Sequence, residues 1–307
     1  MTIHHELPRS KPDRPTVLAI GFFDGVHRGH REILHALRRL RKPGERAAVL
    51  TFRNHPASFL RPEHAPALIT TLEERVGLLA GAGVDELYLL PFDASIATLD
   101  AETFVREILL ERLAIRALAV GENFRFGAKR GGDVALATRL LAPHGIEVLA
   151  IPPLVDAEGR VSSTRIRAAL ARGDVAAADA LLGTPYELRG RVLLGAGRGH
   201  GLGFPTANLA VPEGKTLPMD GVYAVVGRYD GRDHKGLVSI GDNPTFGAGP
   251  KTVEAWLLDF DSTIYGQELA LREFRFVREQ RRFESTDELI EAMHQDATSV
   301  RFPSFAG

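Results

Sequence analysis

The feature that most restricts the folds open to this chain of 307 residues is a change of rhythm near residue 184. From about residue 15 to 150, short apolar runs alternate with amphipathic stretches. The runs are TVLAI (16–20), AAVLTF (47–52), ELYLLPF (86–92), ALAVG (117–121) and IEVLAIPP (146–153). Between them, REILHALRRL sets Ile33, Leu34, Leu37 and Leu40 at helical spacing and leaves its arginines on the other side. TTLEERVGLLAGAG carries a Thr-x-x-Glu capping pattern, Thr70 or Thr71 to Glu73 or Glu74, and closes on Gly81 and Gly83. AETFVREILLERL and DVALATRLL predict two more helices. Such alternation predicts parallel strands joined by crossovers, a doubly wound α/β sheet with ligands at the carboxyl ends of its strands.

After residue 184 the runs become short, β-branched and aromatic, split by Gly, Asp and Asn: ELRGRVLLG, GVYAVVGRYDG, KGLVSIGD, TVEAWLLDF and ELALREFRFVRE. YDGR (229–232) is an Asp-Gly hairpin signal. This half predicts a small antiparallel β-barrel. A closing helix follows in STDELIEAMHQDATSV, with Ser285 and Glu288 as its capping box and Leu289, Ile290 and Met293 as its apolar stripe. STRIRAALARGD and VAAADALLG predict two short helices bridging the halves. The expected division is therefore residues 1–184 and 185–307.

Bulk properties narrow the class. The formal net charge of -1 supplies no basic field for nucleic acid or anionic lipid. The absence of cysteine removes disulfides, thiolate metal sites and thiol nucleophiles together. A polar start and the lack of a long apolar segment predict a cytoplasmic enzyme that acts on small molecules, without nucleic acid or membrane; a homo-oligomer is compatible with it.

GFFDGVHRGH (21–30) leaves the first strand through Gly21, Phe22, Asp24 and Gly25, then sets His27 and His30 one turn apart where a helix begins. Backbone N–H groups aimed at one point, with the helix dipole behind them, make an anion site, and two imidazoles add donors. Phosphate is the natural ligand. The histidines could instead ligate a metal together with His55, but no acidic cluster or third ligand at helical spacing accompanies them. The turn matches neither G-x-G-x-x-G nor the Walker pattern, so hydride transfer and P-loop hydrolysis lose weight. In the second half, GRGHGLGFPTANL (197–209) lets backbone approach a ligand closely and sets Thr206 and Asn208 on one side of an extended segment. Hydroxyl and amide oxygens are hard ligands, suited to Mg²⁺ carried with nucleotide phosphates.

These motifs resemble a known family. GFFDGVHRGH is similar to the His-x-Gly-His signature of nucleotidyltransferases. TFRNHP (51–56), GENFRFGAKRGGD (121–133) and VSSTRIR (161–167) resemble, in order, further motifs of the bacterial bifunctional riboflavin kinase/FAD synthetases. GRGHGLGFPTANL, GVYAV, SIGDNPTFG and VEAWLLDFDSTIYGQEL resemble their kinase module, so the likeness runs collinearly from about residue 15 to 302. It implies a Rossmann-like nucleotidyltransferase domain followed by a riboflavin-kinase-like barrel, with riboflavin, FMN and FAD as substrate, intermediate and product.

The resemblance also implies roles. His27 and His30 would contact ATP phosphates and stabilise the departing pyrophosphate, joined by Ser162, Ser163, Thr164, Arg165 and Arg167, whose hydroxyls and guanidinium groups suit a triphosphate. Asn54, His55, Pro56, Asn123, Phe124 and Phe126 would form the flavin side, one of the two phenylalanines serving as ordinary core. In the kinase, Glu254 would act as general base, and Thr206 and Asn208 would hold Mg²⁺. Gly197, Gly199, Gly203, Phe204, Pro205, Asn243, Thr245 and Arg278 would surround ATP and flavin. His200 and Trp256 depart from the family pattern, the first where a basic residue is common and the second where a smaller polar side chain is. A flavin sensor without turnover, and a kinase whose first domain serves another acceptor, are the competing readings. The retained His27, His30, Thr206, Asn208 and Glu254 speak against the first, and GENFRFGAKRGGD against the second.

Overall fold

The computed structural model describes residues 1–194, 206–242, 251–258, 260–300 and 302. The chain divides into two compact units, Met1–Ser163 and Thr164–Gly307.

The first unit is built on six parallel strands: β1 (Thr2–His4), β2 (Thr16–Ile20), β3 (Arg46–Phe52), β4 (Glu86–Leu90), β5 (Ile115–Gly121) and β6 (Glu147–Ile151). Their order is β1-β4-β3-β2-β5-β6. The chain runs outward from β2 through β3 to β4, then returns to lay β5 and β6 on the other side of β2. That reversal makes a topological switch point beside β2, where such sheets open a ligand crevice.

Both faces of the sheet are covered, which is why its strands read as unbroken apolar runs. Alternation sends Leu18, Leu50, Tyr88 and Leu118 to one core with Phe104 and Leu141. It sends Val17, Val49, Leu87 and Ala117 to the other, with Leu34, Leu37 and Leu79. These last three lie on helices α1 (Arg28–Leu40) and α2 (Leu72–Gly81). Thr71 caps α2, and Glu74 completes the capping box predicted from its sequence.

Three elements depart from the sequence reading. The polar N-terminus contributes β1, which pairs only with β4. AETFVREILLERL forms a short α-turn (Ala101–Thr103) and then a π-helix (Phe104–Arg112), ending with the amide of Leu113 on the Ile108 carbonyl at 3.0 Å. The helices α4 (Ser163–Ala171) and α5 (Val175–Leu182), which follow α3 (Val134–Leu141), fall almost entirely in the second unit. The Met219 amide donates to the Leu170 carbonyl at 2.8 Å, and the Tyr186 amide donates to the Asp179 carboxylate at 2.6 Å.

The second unit is a closed antiparallel barrel. Its strands are β7 (Glu187–Leu193), β8 (Thr206–Ala210), β9 (Gly221–Tyr229), β10 (Arg232–Gly241), β11 (Thr252–Leu257) and β12 (Glu268–Arg278), in the order β7-β8-β11-β10-β9-β12. Pairing of β12 with β7 closes it. The β9–β10 hairpin turns on Asp230 (φ 46°) and Gly231 (φ 75°), both left-handed, the geometry that an Asp-Gly pair favours between twisted strands. Leu188, Val192, Val238, Val253, Ala255 and Leu271 fill the interior. Helix α6 (Thr286–Ser299) covers part of the outside, where Ala297, Val300 and Phe302 pack on Val222, Ala224, Leu237 and Trp256. Its predicted capping box is half formed: Ser285 accepts from the Glu288 amide, but the Glu288 carboxylate takes the amide of Glu284.

Candidate functional sites

In the first unit the chain leaves β2 at the switch point through a turn containing three residues of positive φ, Phe23 (59°), Gly25 (77°) and Val26 (40°). His27 then caps α1: its Nδ1 accepts from the His30 amide at 3.3 Å. A ring nitrogen that accepts carries no proton, so His27 presents its N–H from Nε2. The His30 ring stacks on His27 at 3.6 Å between centroids and meets Phe23 edge-on. A Cβ at Gly29 would lie 3.3 Å from the His27 ring, so the ring would have to give by a few tenths of an ångström to admit one.

Burial, with help from His27 and then Arg160, holds the His30 pKa well below the ordinary imidazole range. The ring is therefore neutral at pH 7, and its buried Nδ1 has no hydrogen-bond partner among the described residues. A neutral imidazole can donate to a phosphate oxygen without the cost of burying a second charge. Arg160, just before VSSTRIR, was missed in the sequence because the motif drew attention to the arginines that follow it.

The remaining residues of this set divide. Asp24 is 4% exposed and turned inward, its carboxylate accepting from the amides of Ile69 (2.9 Å) and Thr70 (3.1 Å). The Thr70 hydroxyl in turn accepts from the Gly25 amide at 3.0 Å. Asp24 thus staples the turn to the segment ahead of α2. The Ser163 hydroxyl, at the end of this unit, donates to the Asp24 carbonyl at 3.2 Å. Thr164 and Arg165 lie in the opening turn of α4 and Arg167 at the start of the next, and all three belong to the second unit.

At the ends of β3 and β4, the Asn54 amide is occupied on both sides by the Phe92 backbone, at 2.9 Å each way. His55 caps the short helix Pro56–Leu60 and meets the Phe22 ring edge-on. Beyond β5, Asn123 is exposed, Phe124 is half-buried and stacks on Phe126, and Phe126 belongs to the core.

On the barrel, cross-strand register sets out the second site. Asn208 of β8 pairs with Glu254 of β11, which pairs with Ser239 of β10. Residues directly opposite share a face, so the three lie in one row on the outside of the barrel, half-buried. The next row of that face holds Thr206, Trp256 and Leu237. Ser239, absent from the sequence-based set, accepts from Gln280 Nε2 at 2.8 Å. Arg278 is gripped by Asp296 of α6, with Nε 3.0 Å from both carboxylate oxygens and Nη2 2.8 Å from one. Trp256 packs with Leu237 and Ala224 under α6. Gly197, Gly199, His200, Gly203, Phe204, Pro205, Asn243 and Thr245 lie outside the described residues. Among the described residues, no cluster of three or more His, Cys, Asp or Glu could hold a metal. The oxygens of Thr206 and Asn208 are nonetheless of the kind Mg²⁺ takes when phosphates and water complete its shell.

A parallel sheet with a helix start at its switch point, and a barrel with a carboxylate set among hydroxyl and amide oxygens, suit a transferase with two nucleotide-handling modules. Comparison with known proteins specifies it. Residues 9–165 match the FAD synthetase family and residues 182–302 the riboflavin kinase family. A bifunctional riboflavin kinase/FMN adenylyltransferase of Escherichia coli (strain K12) is 36% identical over 97% of this chain and 95% of its own length. Its counterpart in Pseudomonas fluorescens is 38% identical over 94% of this chain and 93% of its own length. A crystal structure from Streptococcus pneumoniae, described as a macrolide-efflux protein, is 30% identical and superposes with a TM-score of 0.88 over 99% of this chain and 100% of that one. The chain belongs to the family of bifunctional riboflavin kinases/FMN adenylyltransferases, with the adenylyltransferase module N-terminal and the kinase module C-terminal. Among the described residues, no helix is long and apolar enough to cross a membrane.

Proposed function

We propose that residues 185–307 transfer the terminal phosphoryl group of ATP to the ribityl hydroxyl of riboflavin, giving FMN and ADP. Residues 1–184 then join FMN to the adenylyl group of a second ATP, giving FAD and pyrophosphate. The observation that carries this reading is the row Asn208–Glu254–Ser239, which puts a carboxylate beside hard oxygens on one barrel face.

In the kinase step Glu254 takes the proton of the attacking hydroxyl, and Thr206 and Asn208 would hold the Mg²⁺ carried with the nucleotide. When bound, the ion neutralises phosphate charge. Gly197, Gly199, Gly203, Phe204, Pro205, Asn243 and Thr245 complete the ATP and flavin sites, and Arg278 braces the flavin side through Asp296.

In the adenylyl step a phosphate oxygen of FMN attacks the α-phosphorus of ATP, and the bond to the bridging oxygen of pyrophosphate breaks. No covalent enzyme intermediate is needed, so the protein positions and neutralises. His27 and His30 donate to the phosphates at the start of α1, with Ser162, Ser163, Thr164, Arg165 and Arg167 on the triphosphate. Gly21, Phe22, Asp24 and Gly25 shape the turn. Asn123 and Phe124 serve the flavin ring directly, whereas Asn54, His55, Pro56 and Phe126 form the frame behind it. The demand for ATP suits a cytoplasmic enzyme.

The test is chromatography of the products after incubation with riboflavin, ATP and Mg²⁺. FMN followed by FAD, with ADP and pyrophosphate, is expected. FMN alone would send the adenylyl group to another acceptor, and bound flavin without product would make the chain a sensor.

A further inference from the structure

Arg75 is the largest side chain wholly enclosed in the first unit, 2% exposed, and among the described residues its guanidinium is held by carbonyls rather than by an ion pair. It projects from the first turn of α2 to the carboxyl ends of β2 and β3. There Nη1 donates to the Phe22 carbonyl at 3.0 Å, and Nη2 donates to the carbonyls of Phe52 at 2.7 Å and Arg53 at 3.3 Å. The guanidinium lies 4.1 Å from the centroid of the Phe22 ring. The Thr51 hydroxyl donates to the same Phe22 carbonyl at 3.1 Å. Burial lowers the Arg75 pKa to about 10, against a weaker opposing pull from Asp24, and at that value the group stays charged at pH 7.

We propose that Arg75 is a positioning residue for adenylyl transfer, which locks the Phe22 carbonyl to those of Phe52 and Arg53 and so fixes the Phe22–Phe23 peptide of the glycine-rich turn. The physical reason lies in the peptide itself. In a trans peptide the carbonyl and the following N–H point in opposite directions. Holding the Phe22 oxygen inward on two donors therefore turns the Phe23 N–H the other way and keeps a carbonyl from facing the incoming phosphates. The turn contains left-handed residues at Phe23 and Gly25, so a flip of this peptide would otherwise be cheap. The same fork ties GFFDGVH to TFRNHP, the two loops at the carboxyl ends of β2 and β3. A lysine keeps the charge, but cannot span both carbonyls in one plane.

The inference rests on the reading of this unit as the adenylylating one. Its test uses the whole chain, so FMN formation by the barrel serves as an internal standard. Arg75→Met should lower the kcat of FMN adenylylation about tenfold to a hundredfold and raise KM for ATP, the scale of a small misplacement of reacting groups, while FMN formation changes less than about twofold. Arg75→Lys should recover part of the loss. Thr51→Val, which removes the other donor to the Phe22 carbonyl and leaves the charge in place, should shift kcat and KM in the same direction by less. Should Arg75→Met fail to fold, the lysine and valine variants decide. Unchanged adenylylation kinetics in the folded variants would overturn the proposal, as would losses that track only the folded fraction in thermal melts. His30→Ala in the same assay separates the two ideas: if it retains FAD synthesis, the reading of the site has failed. If it loses FAD synthesis while the Arg75 and Thr51 variants do not, only the role of Arg75 has failed.

Discussion

Glu254 stands directly across a strand pair from Asn208 and, on its other side, directly across from Ser239. In the proposed kinase step this carboxylate, set between an amide and a hydroxyl, takes the proton of the attacking hydroxyl. Glu254→Gln keeps the shape and removes the base. FMN formation should fall about a hundredfold or more, with FAD formation from supplied FMN unaffected; both rates are read by product chromatography.

Asn208→Ala removes one hard oxygen from the proposed metal site. The Mg²⁺ concentration giving half-maximal kinase activity should rise about tenfold. An unchanged metal dependence would move the ion elsewhere.

His30→Ala should abolish FAD formation and leave FMN formation nearly intact. The low pKa of His30 also carries a pH signature. Between its ordinary value and its folded value, the unfolded chain binds a proton that the folded chain does not. Stability of this unit should therefore decline as pH falls from about 6.5, and His30→Gln should flatten that decline in thermal melts at a series of pH values.

Asp179 has the opposite sign. Burial, helped by Glu273, raises its carboxyl to about 6, against the Tyr186 amide, which favours the charged form. The folded unit then binds more protons than the unfolded chain between the ordinary aspartate value and about 6. Its contribution to stability is present in acid and lost as pH rises through 6. Asp179→Asn keeps an oxygen for the Tyr186 amide and should stabilise the second unit at pH 7 to 8 by about 1 kcal/mol, with no gain at pH 4.

Asp296→Asn cuts the fork that joins β12 to α6 and leaves Arg278 without its counter-charge. Calorimetry should show a loss of about 1–3 kcal/mol, and KM for riboflavin should rise if Arg278 braces the flavin side.

Much of this was legible in the sequence because the local patterns agree with the tertiary result. TVLAI and AAVLTF are apolar but for one threonine each because β2 and β3 are covered on both faces, and YDGR turns with the φ angles its residues favour. Thr71 and Glu74 form the cap their spacing announced. What escaped is long-range partnership. Asp24 reads as a phosphate-loop residue, yet its carboxylate is spent on amides 45 and 46 positions away. Ser239 gains its place only from the register of three strands. Arg75 did leave a signal, since it occupies the same helical stripe as Leu72 and Leu79, where a charged side chain needs buried partners. Nothing in the sequence could have said that those partners were carbonyls at the ends of two other strands.

The three residues of β1 have a consequence apart from chemistry. Without them the backbone of β4 would be the bare rim of a parallel sheet, a template for any other extended chain. His4 secures the short strand by stacking on Tyr88 at 4.9 Å and lying 3.3 Å from the Glu86 carboxylate. The opening residues thus move the edge of the sheet from the five residues of β4 to a strand of three, which offers another chain less to pair with. Trimming them should cost solubility on storage long before it costs turnover.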